Sequence, residues 1–305
     1  MPDPSINSLK QKMDDDTVVP IKQATERGGE YTTPTPLGYP IFDEALRGGV
    51  REGDLIIGTG LSGEGKTLTF QNMSVKLSNN GHSCLWFSYE VMIDNLYAKF
   101  KEMGCDEEKL KLFSPKRMTT GNLEWIQEKI KEGTEKYNTK FVFIDHIDFL
   151  APKRELKNSD QKRVVLRDIC SELKTMAIDM QITIFLIAHV KKVQGRAIEM
   201  QDISEASGIY QLADLILAVN RNKVTETRGG EEIKVPTKYS TLRVLKNRIT
   251  GEQPIMDFYV SNDLIVPISN EPVEYYNEKG GKDNEEEAEK IKREFEEHEK
   301  NKNNN

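Results

Sequence analysis

The chain has 305 residues, 37% of them apolar and 30% charged, with 43 Lys plus Arg against 50 Asp plus Glu and a formal net charge of −7. That length accommodates one large domain or two ordinary ones, and the composition is that of a soluble globular protein. No apolar run approaches the roughly 18 residues of a membrane span, and the start MPDPSINSLKQKMDDD carries no apolar signal-peptide core, so a cytoplasmic protein with no membrane partner is expected. Acidity argues against nucleic acid as a partner unless the charge is locally reversed, because phosphate binding needs Lys and Arg.

The charge is uneven. Residues 271–305 hold twelve acidic and seven basic side chains, a net of −5, which leaves −2 for the 270 residues before them. Three parts follow: a polar segment 1–34, a body 35–270, and an acidic tail 271–305 that is expected to be disordered or a lone solvated helix. In the first part Ile6, Leu9 and Met13 fall at helical spacing and predict one short amphipathic helix.

The body alternates apolar runs with amphipathic stretches, the pattern of a mostly parallel sheet flanked by helices, an α/β fold. The first predicted strand, Asp54 to Thr59, leads into Gly60-Leu-Ser-Gly63-Glu64-Gly65-Lys66-Thr67-Leu68, which fits GxxxxGK[ST] between a strand and a helix. Glycines there let backbone N–H groups wrap phosphates at a helix N-terminus. Lys66 reaches the β and γ phosphates of ATP, and Thr67 offers a hydroxyl to Mg²⁺. The same glycines also satisfy GxGxxG, as Gly58, Gly60 and Gly63. That reading leaves Lys66 and Thr67 unexplained and puts its acidic residue 27 positions after Gly63, so the phosphate loop is preferred.

The second predicted strand, Ser83 to Tyr89, ends at Glu90, placed to activate an attacking water, or else a salt-bridged surface residue. The third, Lys140 to Asp145, ends in a carboxylate that suits Mg²⁺, with Asp148 as the alternative outside the strand. Val165, Ile169, Leu173, Met176 and Met180 then predict a helix. The fourth strand, Ile182 to Ala188, runs into His189, either a structural histidine or a hydrogen-bond donor to the γ-phosphate. The fifth, Leu215 to Asn220, is followed by alternating runs that predict an antiparallel C-terminal extension. Cys84, Cys105 and Cys170 form no CxxC pair and read as reduced, largely buried thiols, and four scattered histidines argue against a catalytic metal cage made of protein ligands alone.

The order of these motifs resembles the RecA-like motor domain of DnaB-type hexameric replicative helicases, on the branch of phage primase-helicases and Twinkle. The matching residues are TPLGYPIFDEALRGGVREGDLIIGTGLSGEGKT, FSYE, IDHIDFL, IAHVKK, DISEASGIYQLADLILAVNRN and LRVLKNRITG, spanning about residues 35–262. The resemblance implies a RecA-like P-loop NTPase and gives Lys66, Thr67, Glu90 and Asp145 the roles above, with His189 as a γ-phosphate sensor. It adds Gln211 to the sensing network and has Arg221 and Phe258 sandwich the adenine, with Tyr259 equally placed for that. Lys246 and Arg248 become a basic pair inserted into a neighbour's ATP site; the residues alone also read as a solvated edge strand. A trans-acting Arg implies a hexameric ring. In such rings the loops after the third and fourth strands face the channel. Here Ala151 to Arg163 carries five basic and two acidic residues, and Lys191, Lys192 and Arg196 follow His189, so Lys153, Arg154, Lys191, Lys192 and Arg196 become contacts to single-stranded DNA.

The chain lacks the zinc-binding cysteines of a primase module and the room for a helical collar, so any primase or loader is a separate protein, in a bacterial cell or a phage-infected host. The expected activity is ATP-dependent DNA unwinding, 5′ to 3′ by the resemblance. Competing readings are a RadA- or KaiC-like ATPase of recombination or regulation that does not unwind processively, and a non-catalytic DNA-binding scaffold.

Overall fold

A computed structural model of the chain describes residues 33–89, 91–113, 123–151, 159–189, 198–199, 207–228 and 231–268, with its compact unit beginning at Pro34. The predicted helix at Ile6, Leu9 and Met13, Glu90, the loop residues Lys153, Arg154, Lys191, Lys192 and Arg196, and the acidic tail lie outside the described residues.

Among the described residues nine strands form one sheet: β1 Leu55–Gly60, β2 Cys84–Ser88, β3 Leu110–Phe113, β4 Phe141–Asp145, β5 Thr183–His189, β6 Leu215–Arg228, β7 Glu231–Asn247, β8 Ile255–Ser261 and β9 Leu264–Pro267. Their order is β3-β2-β4-β5-β1-β6-β7-β8-β9. The strands from β3 to β6 are mutually parallel, and β7, β8 and β9 continue the sheet antiparallel. Helices α1 Pro40–Ala45, α2 Lys66–Asn79, α3 Ile93–Glu102, α4 Leu123–Tyr137, α5 Ser159–Asp179 and α6 Ser207–Leu212 accompany it, with a 3₁₀ turn at Ile147–Phe149. The fold is the mixed α/β sheet expected, with its antiparallel extension.

The apolar runs are continuous because β1, β2 and β4 are buried at every position, as parallel strands covered on both faces must be. Alternate residues divide between two cores. Leu55, Ile57, Leu85, Val142, Ile144 and Ile184 face α4 and α5, where Ile169, Leu173 and Met176 of the predicted helical stripe are buried. Ile56, Trp86, Phe143, Phe185 and Ile187 face α2 and α3. On this second face Trp86, Phe143 and Phe185 occupy one register row across three strands and stack, at 5.0 Å and 4.4 Å between ring centroids. Phe70 of α2 meets the row edge-on, 5.3 Å from Phe185, the T-shaped geometry aromatic rings favour.

Three expectations change. The edge strand β3 was not foreseen: LKLF is short and carries Lys111, which an outer strand tolerates. Strand β6 runs eight residues past Asn220, with a register shift between Arg221 and Lys223. The loop assigned to Ala151–Arg163 is shorter, since α5 begins at Ser159 and takes Lys162 and Arg163 into the helix. Cys84 and Cys170 are buried thiols and Cys105 is half-buried; all three are free.

Gly58 tests this packing. A Cβ there would stand 2.6 Å from Phe70 Cζ, so Gly58→Ala is expected to destabilise by about 1–3 kcal/mol through overpacking. Urea denaturation should show a lower midpoint at unchanged slope, and Phe70→Leu in the same chain should recover part of the loss.

Candidate nucleotide site

Three of the expected site residues end neighbouring parallel strands: Gly60 on β1, Asp145 on β4 and His189 on β5, with Gly60 and His189 paired in register. In an open parallel sheet the crevice outside these carboxyl ends is the ligand position. A cleft of about 540 Å³ lies there, lined among others by Gly63, Gly65, Lys66, Thr67, Asp145 and His189.

The loop over this cleft has the backbone that its glycines require. Gly63 and Gly65 have φ of 77° and 99°, in the left-handed region that side chains disfavour, and Gly65 is the N-cap of α2. At Gly60 the need is close approach, since a Cβ would stand 2.7 Å from the Val219 carbonyl oxygen. Lys66 Nζ donates to the carbonyls of Gly60 and Leu61 at 3.0 Å and 2.9 Å. Thr67 Oγ1 donates to Asp145 Oδ2 at 3.0 Å, joining the two groups expected around Mg²⁺. Glu64 is buried and its Oε1 accepts from Lys223 Nζ at 3.1 Å, which ties the loop to β6, while Leu68 continues α2 along the cleft wall. Gln71, 3% exposed on α2, also lines the cleft, and its Oε1 has no hydrogen-bond partner. Left-handed glycines at a helix N-terminus, a lysine, a Thr–Asp pair and an unmatched buried acceptor together fit a nucleoside triphosphate with its divalent cation.

Around Asp145 the chain makes a cis peptide to His146. The alternative carboxylate, Asp148, points elsewhere: it sits in the 3₁₀ turn, with Oδ2 3.4 Å from His146 Nδ1 and Oδ1 2.9 Å from Lys162 Nζ. The His146 hydrogen bond, then Lys162, hold its carboxyl well below the usual range against the opposing effect of burial. Thr67 thus engages Asp145 and not Asp148.

Two expected nucleotide contacts, Phe258 and Gln211, stand away from the residues that line the cleft. Phe258 is 2% exposed within the core facing α2, and Tyr259 on the other face is packed against Tyr239, so neither ring offers a face to a base. Arg221 is exposed in the same cross-strand row as Ser240 and Phe258, its Nε donating to the Thr237 carbonyl at 2.7 Å. Gln211 lies on α6, before β6 begins, at the amino edge of the parallel strands. Across β1, at about 3.3 Å per residue, that edge is about 17 Å from Gly60, so Gln211 does not join His189 at this chain's own cleft.

Lys246 and Arg248 stand with Gln211 at the amino edge. Arg248 donates to Asp214 Oδ1 at 2.9 Å and to the Gln211 carbonyl at 2.5 Å; Lys246 Nζ lies 3.4 Å from that carbonyl. Burial first, then the Arg248 charge, lowers the Lys246 pKa. Asp214 also accepts from Lys174 Nζ at 2.5 Å and from the Leu55 amide at 2.8 Å. The pair is therefore anchored at the far end of the sheet from this chain's phosphate loop.

Residues 35–273 match the family described as "ATPase: KaiC". The chain belongs to that ATPase family. As a member of it, the chain shares 28% identity over 167 residues with DNA repair protein RadA of Bacillus subtilis, covering 55% of this chain and 34% of that one. It shares 25% over 128 residues with the DNA helicase/primase of Enterobacteria phage T3, covering 40% and 20%. The chain thus spans about a third or less of these curated relatives. Among solved structures, a DnaB-like replicative helicase superposes with a TM-score of 0.64 at 14% identity over 87% of this chain and 71% of that one. The ATPase domain of G40P gives 0.61 at 15% over 87% and 99%, and the KaiC-like protein PH0186 of Pyrococcus horikoshii gives 0.56 at 19% over 78% and 99%. These structural likenesses establish the RecA-like fold.

Sequence reasoning missed Gln71 and the α3 residues Asn95 and Lys99, which line the cleft, and His146, which packs against His189 behind it. The adjacency of His146 to Asp145 was a usable signal; the α3 residues gave none. Asp214 was missed as well, although a lone Asp inside QLADLILAV is a polar residue entering a buried strand. Asp214→Asn would leave the half-buried Lys174 without its charge partner, an expected loss of about 3 kcal/mol, read as a lower urea midpoint.

Proposed function

We propose that this chain is an ATP-driven, ring-forming motor that moves on single-stranded DNA and opens duplex, a helicase in kind. The observation that carries the reading is the position of Lys246 and Arg248. They are fixed at the sheet edge opposite this chain's own phosphate loop, too far to act there, and suited to complete the carboxyl-edge cleft of a neighbouring copy. Such an arrangement closes into a ring when each copy offers one edge to the next.

In the proposed site the amides of Gly60, Gly63, Glu64, Gly65 and Lys66 bind the triphosphate, with Leu68 in the first turn of α2 behind them. Lys66 leaves the loop carbonyls to bind the β and γ oxygens. Thr67 and Asp145 hold Mg²⁺, which when bound neutralises charge on those oxygens. Glu90 takes the proton of the attacking water. His189 hydrogen-bonds the γ-phosphate, and the guanidinium of Arg221 stacks on the base beyond Val219. The neighbour's Arg248, with Lys246 beside it, stabilises charge developing on the transferred phosphoryl group. Lys153, Arg154, Lys191, Lys192 and Arg196 contact the DNA backbone, converting hydrolysis into movement.

The DNA assignment draws on the locally basic segments in an otherwise acidic chain, and on the DNA repair and DNA helicase relatives. The hexameric state, 5′ to 3′ polarity and a separate primase or loader belong to the same proposal. The identity with RadA favours a second reading, an ATPase of DNA repair without processive unwinding. Hydrolysis with and without single-stranded DNA, alongside fork unwinding, separates the two: stimulated hydrolysis with strand separation supports the helicase, and stimulation alone supports the second.

Trans action has its own test. Lys66→Ala and Arg248→Ala chains should each be inactive alone. Mixed one to one, about a quarter of interfaces regain an intact Lys66 facing an intact Arg248, so hydrolysis should return in proportion. No recovery in mixed rings would place Arg248 outside the neighbour's site.

The double substitution Lys191→Ala with Lys192→Ala should weaken single-strand binding and reduce its slope against salt by about one to two ions. An unchanged slope would remove both lysines from the DNA path.

A further inference from the structure

The histidines that look scattered in sequence are not all scattered in space. His146 directly follows β4, Asp148 lies in the 3₁₀ turn and His189 ends β5, and one ligand atom from each lies within 4.8 Å of the others. The two imidazoles meet edge-on, 4.4 Å between centroids at 73°. His146 is buried, packed on Phe149 at 4.7 Å, and Phe149 stacks on Tyr89 at 5.6 Å, so the cluster has an apolar wall behind it. Its other side opens to the cleft, because His189 is exposed and lines it.

We propose that His146, Asp148 and His189 bind a transition cation of the Zn²⁺ class, at a site distinct from the Thr67–Asp145 pair. Two imidazoles and one carboxylate are a donor set for Zn²⁺, Co²⁺ or Ni²⁺, whereas Mg²⁺ selects oxygen ligands. Tetrahedral coordination with bonds of 2.0–2.1 Å needs donors about 3.3 Å apart, and the present separations, all within 4.8 Å, leave about 1.5 Å or less to close. The fourth position faces the cleft and takes water or a phosphate oxygen. Lys162, paired with Asp148 Oδ1 at 2.9 Å, is a like charge beside the ion and moderates its affinity.

The site rests on neither DNA nor the ring. Its consequence for the nucleotide rests on the proposed contact of His189 with the γ-phosphate: a cation that fixes His189 withdraws that side chain from the γ-phosphate, so occupancy by Zn²⁺ opposes hydrolysis in a way that excess Mg²⁺ does not relieve.

The test is calorimetric titration of the full chain with Zn²⁺, without nucleotide and in a large excess of Mg²⁺, paired with the visible spectrum of the Co²⁺ form. One ion per chain and an intense tetrahedral Co²⁺ band are expected. Both signals should be lost in His146→Ala and in His189→Ala, with His189→Gln as the substitute if circular dichroism shows that an alanine variant has unfolded. Asp145→Asn should keep the band, because that carboxylate serves the other position, and Lys162→Ala should tighten binding by removing the opposing charge. Absence of one-to-one binding would overturn the proposal. So would binding that survives loss of both histidines, which would place the ion elsewhere on the chain, or loss of the band in Asp145→Asn, which would merge the two sites.

Discussion

The constraint on which everything else depends is the burial of β1 on both faces. Its six residues lie between β5 and β6, under helices on either side, with no position left to water. A charge inside such a strand would lose its solvation without a partner, at a cost of several kcal/mol. Polar chemistry is therefore expelled to the two ends. At the carboxyl end stand Gly60, Asp145 and His189; at the amino end stand Asp214, Lys174, Arg248 and the Gln211 carbonyl. The proposed division of labour between one copy's cleft and the next copy's basic pair is a direct result of this sorting.

Much of that arrangement was legible in the chain itself. The phosphate loop is local, so its glycines, Lys66 and Thr67 declare themselves within eight residues, and the position of Asp145 follows from the end of an apolar run. What it did not show is which way a side chain faces across a strand register. Phe258 and Tyr259 are adjacent and alternate between faces, yet both faces there are covered, so neither offers a ring to a base. Gln211 is a related case: a short helix before β6 reads as near the strand, and the parallel direction of β6 puts it at the amino edge. The His146–Asp148–His189 cluster joins residues 43 apart in sequence, and only the β4–β5 pairing brings them together.

The family and the superpositions define the engine more firmly than the work it does. A RecA-like ATPase core is shared with the DNA repair protein, the replicative helicase and the KaiC-like protein compared above, and fold alone does not select among them. The features that would select are the basic segments after β4 and β5 and the partner offered at the amino edge. It is fitting that the substitutions most able to separate the readings lie at those places and not in the phosphate loop, which all the readings share.

The amide of Leu55, which opens β1, is held by the same Asp214 carboxylate that holds Arg248. The carboxyl end of β1 becomes the phosphate loop. One short strand thus connects the phosphate loop to the carboxylate that anchors Arg248. In a ring built as proposed, the order of firing around the circle would be written inside each subunit, with β1 acting as a pushrod between consecutive sites.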